Sequence, residues 1–127
     1  MQGVMDGTID CIATHHTAQN KDAKICEFEY AGYGTLGLEA AFGLLGTTGL
    51  SIDNILQCIC FQPRSIFQLP ATIEKNQSAD LTIFDIESTG TYTNDHIRSK
   101  SANAAFIGQP FKGSAIATIL HSNYQLK

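Results

Sequence analysis

The chain has 127 residues, 43% of them apolar and only 16% charged, with a net charge of −4. That size suits one modest domain with one core, and the acidic balance with scattered Lys and Arg excludes a nucleic-acid footprint. No apolar run approaches the about 20 residues of a membrane span, and the start lacks the pattern of a signal peptide.

A charged fraction near a quarter is usual for soluble domains. A chain this short of charge is expected to hide more surface than it can bury alone, so a partner surface is expected. Cys11, Cys26, Cys58 and Cys60 show no zinc-knuckle spacing. They read as reduced, small apolar residues, which points to the cytoplasm.

In chain order, residues 8–14 form a nearly continuous apolar and β-branched run. This predicts a strand buried on both faces, of the kind found inside a parallel sheet or barrel. The run leads into His15 and His16, followed by a polar loop through Lys24. Gly32, Gly34 and Gly37 then allow tight turns and close backbone approach. Their spacing matches G-x-G-x-x-G, but no strand abuts it as a dinucleotide fingerprint requires.

Residues 38–45 predict a helix closed by Gly46 and Gly49. Ser51 is a candidate N-cap with Asp53 in the first turn, and Ile52, Ile55, Leu56, Ile59 and Cys60 lie on one helical stripe. Pro63 is expected to open a further helical turn through Phe67, closed by Pro70. After Pro70 a polar connection is expected, in which Asn76 suits the left-handed conformation. Strands are expected at residues 81–85, 90–93 and 114–120. Ser122-Asn123 should turn into a last short strand at 124–126. Asp80 and Asp85 read as turn or cap residues, Arg64 as a structural or surface cation, and His96 and His121 as surface residues.

Five ordered stretches carry a family likeness: Gly7-Thr8-Ile9-Asp10 with Ile12-Ala13-Thr14; Glu27-Phe28-Glu29 with Ala31 and Gly34; Gly37-Leu38-Glu39; residues 79–85; and Ser99-Lys100-Ser101 with Asn103, Phe106 and Gly108. With them the chain resembles the C-terminal part of a dihydroorotase, a metal-dependent amidohydrolase of pyrimidine biosynthesis. Hydantoinase-like and allantoinase-like relatives are the alternatives. The resemblance implies an α/β chain that is the C-terminal fragment of a β/α (TIM) barrel amidohydrolase. Residues 1–70 would hold the last barrel strand and its helices, and residues 71–127 β-strands of a small β-sandwich. Sites of such barrels lie at the C-terminal strand ends, where His15 falls.

In that family one or two zinc ions generate a hydroxide that attacks a ring amide. An Asp directly after Ile-Ala-Thr binds metal and acts as general acid/base. Here His15 occupies that position, as the catalytic and metal-ligand candidate, and the carboxylate is replaced. His16 matches the histidine that normally follows. Gln19, Ala31 and Gly34 match substrate-binding positions. The family's His-x-His pair, bridging lysine and two further histidines have no counterpart in this sequence. The resemblance therefore implies a small-molecule substrate, with the chain expected to be inactive alone and not to hold zinc stably by itself. Self-association or docking to a barrel-completing chain is the expected partnership. A truncated reading frame and a natural non-catalytic protein are both compatible with this pattern.

Overall fold

A computed structural model describes residues 1–126. Four short α-helices, α1 (Gln2–Met5), α2 (Ala41–Gly46), α3 (Ile52–Leu56) and α4 (Gln62–Ile66), precede three strands, β1 (Asp80–Thr91), β2 (Pro110–Leu120) and β3 (Asn123–Leu126). The strands form one antiparallel sheet in the order β1-β2-β3. Among the described residues no helix is long and apolar enough to cross a membrane.

The expected barrel strand at residues 8–14 is not formed as a strand. Its side chains are exposed or half-buried, and the segment belongs to no sheet. Single bonds hold it in place of a ladder: the Ile9 N–H donates to the Gly3 carbonyl at 2.7 Å and the Ile12 N–H to the Cys58 carbonyl at 3.0 Å. An apolar run becomes a doubly buried strand only when strands on both sides pair its backbone, and the described residues provide no such neighbours.

Ser51 caps α3 as its residue type predicts, its side chain accepting from the Asn54 N–H at 3.2 Å. Pro63 does not start a separate helix. The chain stays helical from α3 into α4 through one wider π turn, Gln57–Phe61. A proline inside a helix removes one N–H and crowds the carbonyl four residues earlier. A π turn directly before it is one way to relieve that conflict. Asn76 has φ +71°, the left-handed conformation expected of it.

The two expected strands at 81–85 and 90–93 are one long strand, β1, with irregular register between Asp85 and Thr89. The Asp85 carboxylate accepts from the Glu87 and Ser88 N–H groups at 3.0 and 3.2 Å, so backbone donors freed by the irregularity are satisfied locally. A two-residue loop at His121 and Ser122 joins β2 to β3, with Leu120 paired to Asn123.

The core consists of Leu36, Ala40, Tyr92 and Phe106, ringed by Leu44, Ile97, Ala104 and Phe111. It thus draws on both sides of residue 70. The Tyr92 hydroxyl donates to the Ala40 carbonyl at 3.2 Å, and burial pushes its pKa up. The α2 helix packs against β2, and its Phe42 stacks on Phe84 of β1 with centroids 3.9 Å apart. Gly46 is the last residue of α2, where a Cβ would overlap the Lys112 carbonyl. Close approach to β2 explains this glycine as much as helix termination does. His96 is half-buried, with its ring edge against Tyr92 and Phe111 at 5.5 and 5.6 Å. It is a packing residue, where a surface position was expected.

Candidate functional site

The residues singled out by sequence lie on two segments, 14–19 and 31–39, and a third segment at 98–105 ties them together. The Thr17 N–H donates to the Thr35 carbonyl at 3.0 Å. Gly34, at φ +119°, packs so closely that a Cβ would sit 2.6 Å from Thr17. Glycine is required here on both steric and conformational grounds.

Gln19 is held at three points. Its N–H donates to Asn103 Oδ1 at 3.1 Å, its side-chain Nε2 donates to the Tyr33 carbonyl at 2.9 Å, and its carbonyl accepts from the Ser101 hydroxyl. Asn103 reaches on to the Gly34 carbonyl through Nδ2 at 3.0 Å. The structure therefore brings Gln19 directly against the glycine loop that carries Ala31 and Gly34. Ala31 is half-buried and Gly34 exposed.

His15 and His16 part company. His16 is half-buried, and its Nδ1 accepts from the Gly37 and Leu38 N–H groups, both at 3.2 Å. An Nδ1 that accepts carries no proton, so this geometry is that of the neutral Nε2–H tautomer. His16 anchors the loop. His15 is exposed and adopts the left-handed conformation, φ +45°. Its carbonyl accepts from the Thr17 hydroxyl at 3.1 Å, but its ring joins none of the contacts that gather Gln19 and the loop.

Sequence reasoning left four contributors without a role: Lys24, Glu39, Ser101 and Asn103. Glu39 Oε1 accepts from the Arg98 and Ser99 N–H groups at 2.9 and 2.5 Å. Burial raises its pKa, but the hydrogen bonds from Ser99 and Arg98 outweigh that, so the carboxyl lies below its ordinary value. Its Oε2 is buried without a hydrogen-bond partner among the described residues. Glu39, Ser101 and Asn103 all stand in the quoted likeness, so their positions were visible while their bonds were not. Beside this junction runs an apolar groove of about 370 Å³, lined by Thr14, Leu36, Gly37, Ala41 and Phe106 among others.

No family model matches the chain. A dihydroorotase of Endomicrobium trichonymphae is 37% identical over 129 residues, covering 96% of this chain and 31% of the relative. One of Caldicellulosiruptor saccharolyticus is 34% identical over 133 residues, covering 100% and 31%. The chain is homologous to part of a dihydroorotase. It spans about 31% of the length of these curated relatives, a share consistent with a C-terminal portion. Among solved structures, an L-hydantoinase (dihydropyrimidinase) from Arthrobacter aurescens superposes with a TM-score of 0.83 at 24% identity, covering 98% of this chain and 30% of that one. A D-hydantoinase from Thermus sp. gives 0.82 at 21%, covering 99% and 30%. These two establish likeness of fold alone: the chain has the fold of about 30% of a hydantoinase chain.

The dihydroorotase relationship makes the metal question concrete. No group of three or more His, Cys, Asp or Glu side chains among the described residues is arranged to hold a metal ion. Zinc sites need three or four protein ligands, and His15 alone offers one. By themselves the described residues do not fit a zinc site. What the junction can do is hold polar backbone groups in a fixed arrangement.

Proposed function

We propose that this chain forms the loop-bearing wall of a dihydroorotase-type site and does not catalyse hydrolysis alone. The substrate class is a cyclic amide, with interconversion of dihydroorotate and N-carbamoyl-aspartate in pyrimidine biosynthesis as the reaction. The observation that carries this reading is the junction of Gln19 with the Ala31–Gly34 loop through Asn103, in a chain homologous along its length to dihydroorotases. Gln19, Ala31 and Gly34 would contact the ring. His15 stands where a carboxylate would serve as metal ligand and proton carrier. An imidazole there lacks the negative charge that holds a hydroxide and carries its proton to the leaving nitrogen. The zinc ligands and the barrel strands that pair with residues 8–14 would come from other residues. Four free thiols agree with a cytoplasmic setting.

The test has two arms. The purified chain, with zinc and either substrate, is expected to show no turnover above zinc alone, and turnover above that level overturns the reading. Co-expression with a dihydroorotase polypeptide lacking the matching third is expected to restore activity when this chain carries His15→Asp, about 100-fold above the His15 form. Equal activity of the two forms would sink the role given to this position.

A second reading is favoured by a specific observation. Phe28 and Tyr33 are 93% and 91% exposed, and Ile25, Tyr30 and Leu38 lie exposed in the same stretch. Apolar patches of this kind mark interaction surfaces, so a non-catalytic partner that self-associates or docks on a barrel-completing chain is the alternative. A clean monomer by light scattering that binds no apolar dye would eliminate it.

A further inference from the structure

Lys24 is the strongest feature that the reading above leaves unused. Its Nζ lies 2.5 Å from the Gly32 carbonyl and 2.8 Å from the Gly34 carbonyl. Two carbonyls two residues apart, aimed at one point, repel each other unless a cation lies between them. The Gly34 carbonyl also accepts from Asn103 Nδ2 at 3.0 Å. The only ion pair among the described residues is Arg64–Asp80, so the Lys24 ammonium serves backbone oxygens and no carboxylate.

Its own position is well determined. Lys24 is half-buried at the end of a 3-10 turn, Asp22–Lys24, whose Ala23 N–H is held by the Asn20 side chain at 2.8 Å. The Ala23 carbonyl in turn accepts from the Gly32 N–H at 2.8 Å, so the turn and the loop are bonded at three places.

We infer that Lys24 is a positioning residue, a cationic clamp that sets the conformation of the Gly32–Gly34 loop by saturating its two converging carbonyls. With those acceptors occupied, the loop turns other backbone groups to a ligand. Among the described residues the Gly34 N–H and the Ala31 carbonyl have no hydrogen-bond partner. One donor and one acceptor suit the N–H and C=O of a ring amide, and that consequence rests on the cyclic-amide reading. The clamp itself does not.

The experiment is amide hydrogen exchange followed by NMR on the full chain, which needs no turnover. Lys24→Met keeps the length and apolar stem but removes the charge. It should speed exchange at Gly32 and Leu36 about tenfold, the scale of one lost charge-assisted hydrogen bond. Ile119 and Thr118 on β2 should be unchanged. In Lys24→Ala, added propylammonium should restore protection where propanol does not. Wild-type exchange in Lys24→Met, equal loosening of β2, or rescue by propanol would each overturn the clamp. A failed complementation assay with the clamp intact would count against the cyclic-amide reading alone.

Discussion

Two regions of this chain are ordered by different physics. The sheet, α2 and the core around Tyr92 and Phe106 are held by burial, with Leu36 1% and Ala40 0% exposed. In the junction of residues 14–19, 31–39 and 98–105 only Leu36, which belongs to the core, is buried. The junction is held by side chains reaching to backbone groups, as from Glu39 to the Ser99 N–H across 60 residues of sequence and from Asn103 to the Gln19 N–H across 84. Burial is non-directional and tolerates exchange of similar shapes. A hydrogen-bonded junction sets particular donors and acceptors in place, and each bond adds only about 1 kcal/mol net. The first region supports the fold, and the second gives the candidate site its arrangement.

The largest expected effect tests the first region. Phe106→Ala removes a ring that is 4% exposed and lies edge-on to Tyr92 at 5.1 Å. It should cost about 3–5 kcal/mol in urea unfolding, by lost transfer energy plus a cavity. Asn103→Ala tests the second. It removes the bonds to the Gln19 N–H and the Gly34 carbonyl. It should cost about 1–3 kcal/mol, with exchange rising in residues 19 and 34–36 and little change on β2. A loss after Asn103→Ala as large and as global as that after Phe106→Ala would remove the distinction.

What could be read from sequence divides along the same line. The Ser51 cap, Asn76, strand β2 and the turn into β3 rest on local preferences, and each is present. The glycine loop was legible because Gly34 needs its φ of +119° whatever surrounds it. The run at residues 8–14 forms no strand here, because an apolar run records a demand for neighbours without showing that they are present. The helix crosses Pro63 because a π turn absorbs the conflict, which composition alone does not reveal. Glu39, Ser101 and Asn103 were visible as parts of a likeness, but their roles are long-range bonds with no local signature. Lys24 lay in a polar stretch that read as ordinary loop.

A charge-specific probe sharpens the contrast. The Glu39 carboxyl lies below its ordinary value of 4.5 in the folded chain. A depressed folded pKa means that the stability it contributes is fully present above about 4.5 and is lost as pH falls through the lower folded value. In an acid titration of the urea midpoint, Glu39→Gln should therefore flatten the decline in that window and lower the midpoint at neutral pH. An unchanged acid limb would show that the Arg98 and Ser99 amides do not depend on the carboxylate.

The smallest effect is expected where polar contact is most exposed. Arg64 pairs with Asp80 and donates to the Pro70 carbonyl at 2.6 Å, tying the end of α4 to the start of β1. The Arg64 side chain is 24% exposed and that of Asp80 56%. Water and salt screen a pair at that exposure, and such pairs are worth about 0–1 kcal/mol. A double-mutant cycle of Arg64→Ala with Asp80→Ala should give a coupling inside that range, shrinking as salt is added. Arg64→Ala should lose slightly more than Asp80→Ala, because it also removes the bond to Pro70. A coupling above about 2 kcal/mol that resists salt would mean that exposed polar contacts here rival burial. The two regions would then differ in location but not in the physics that holds them.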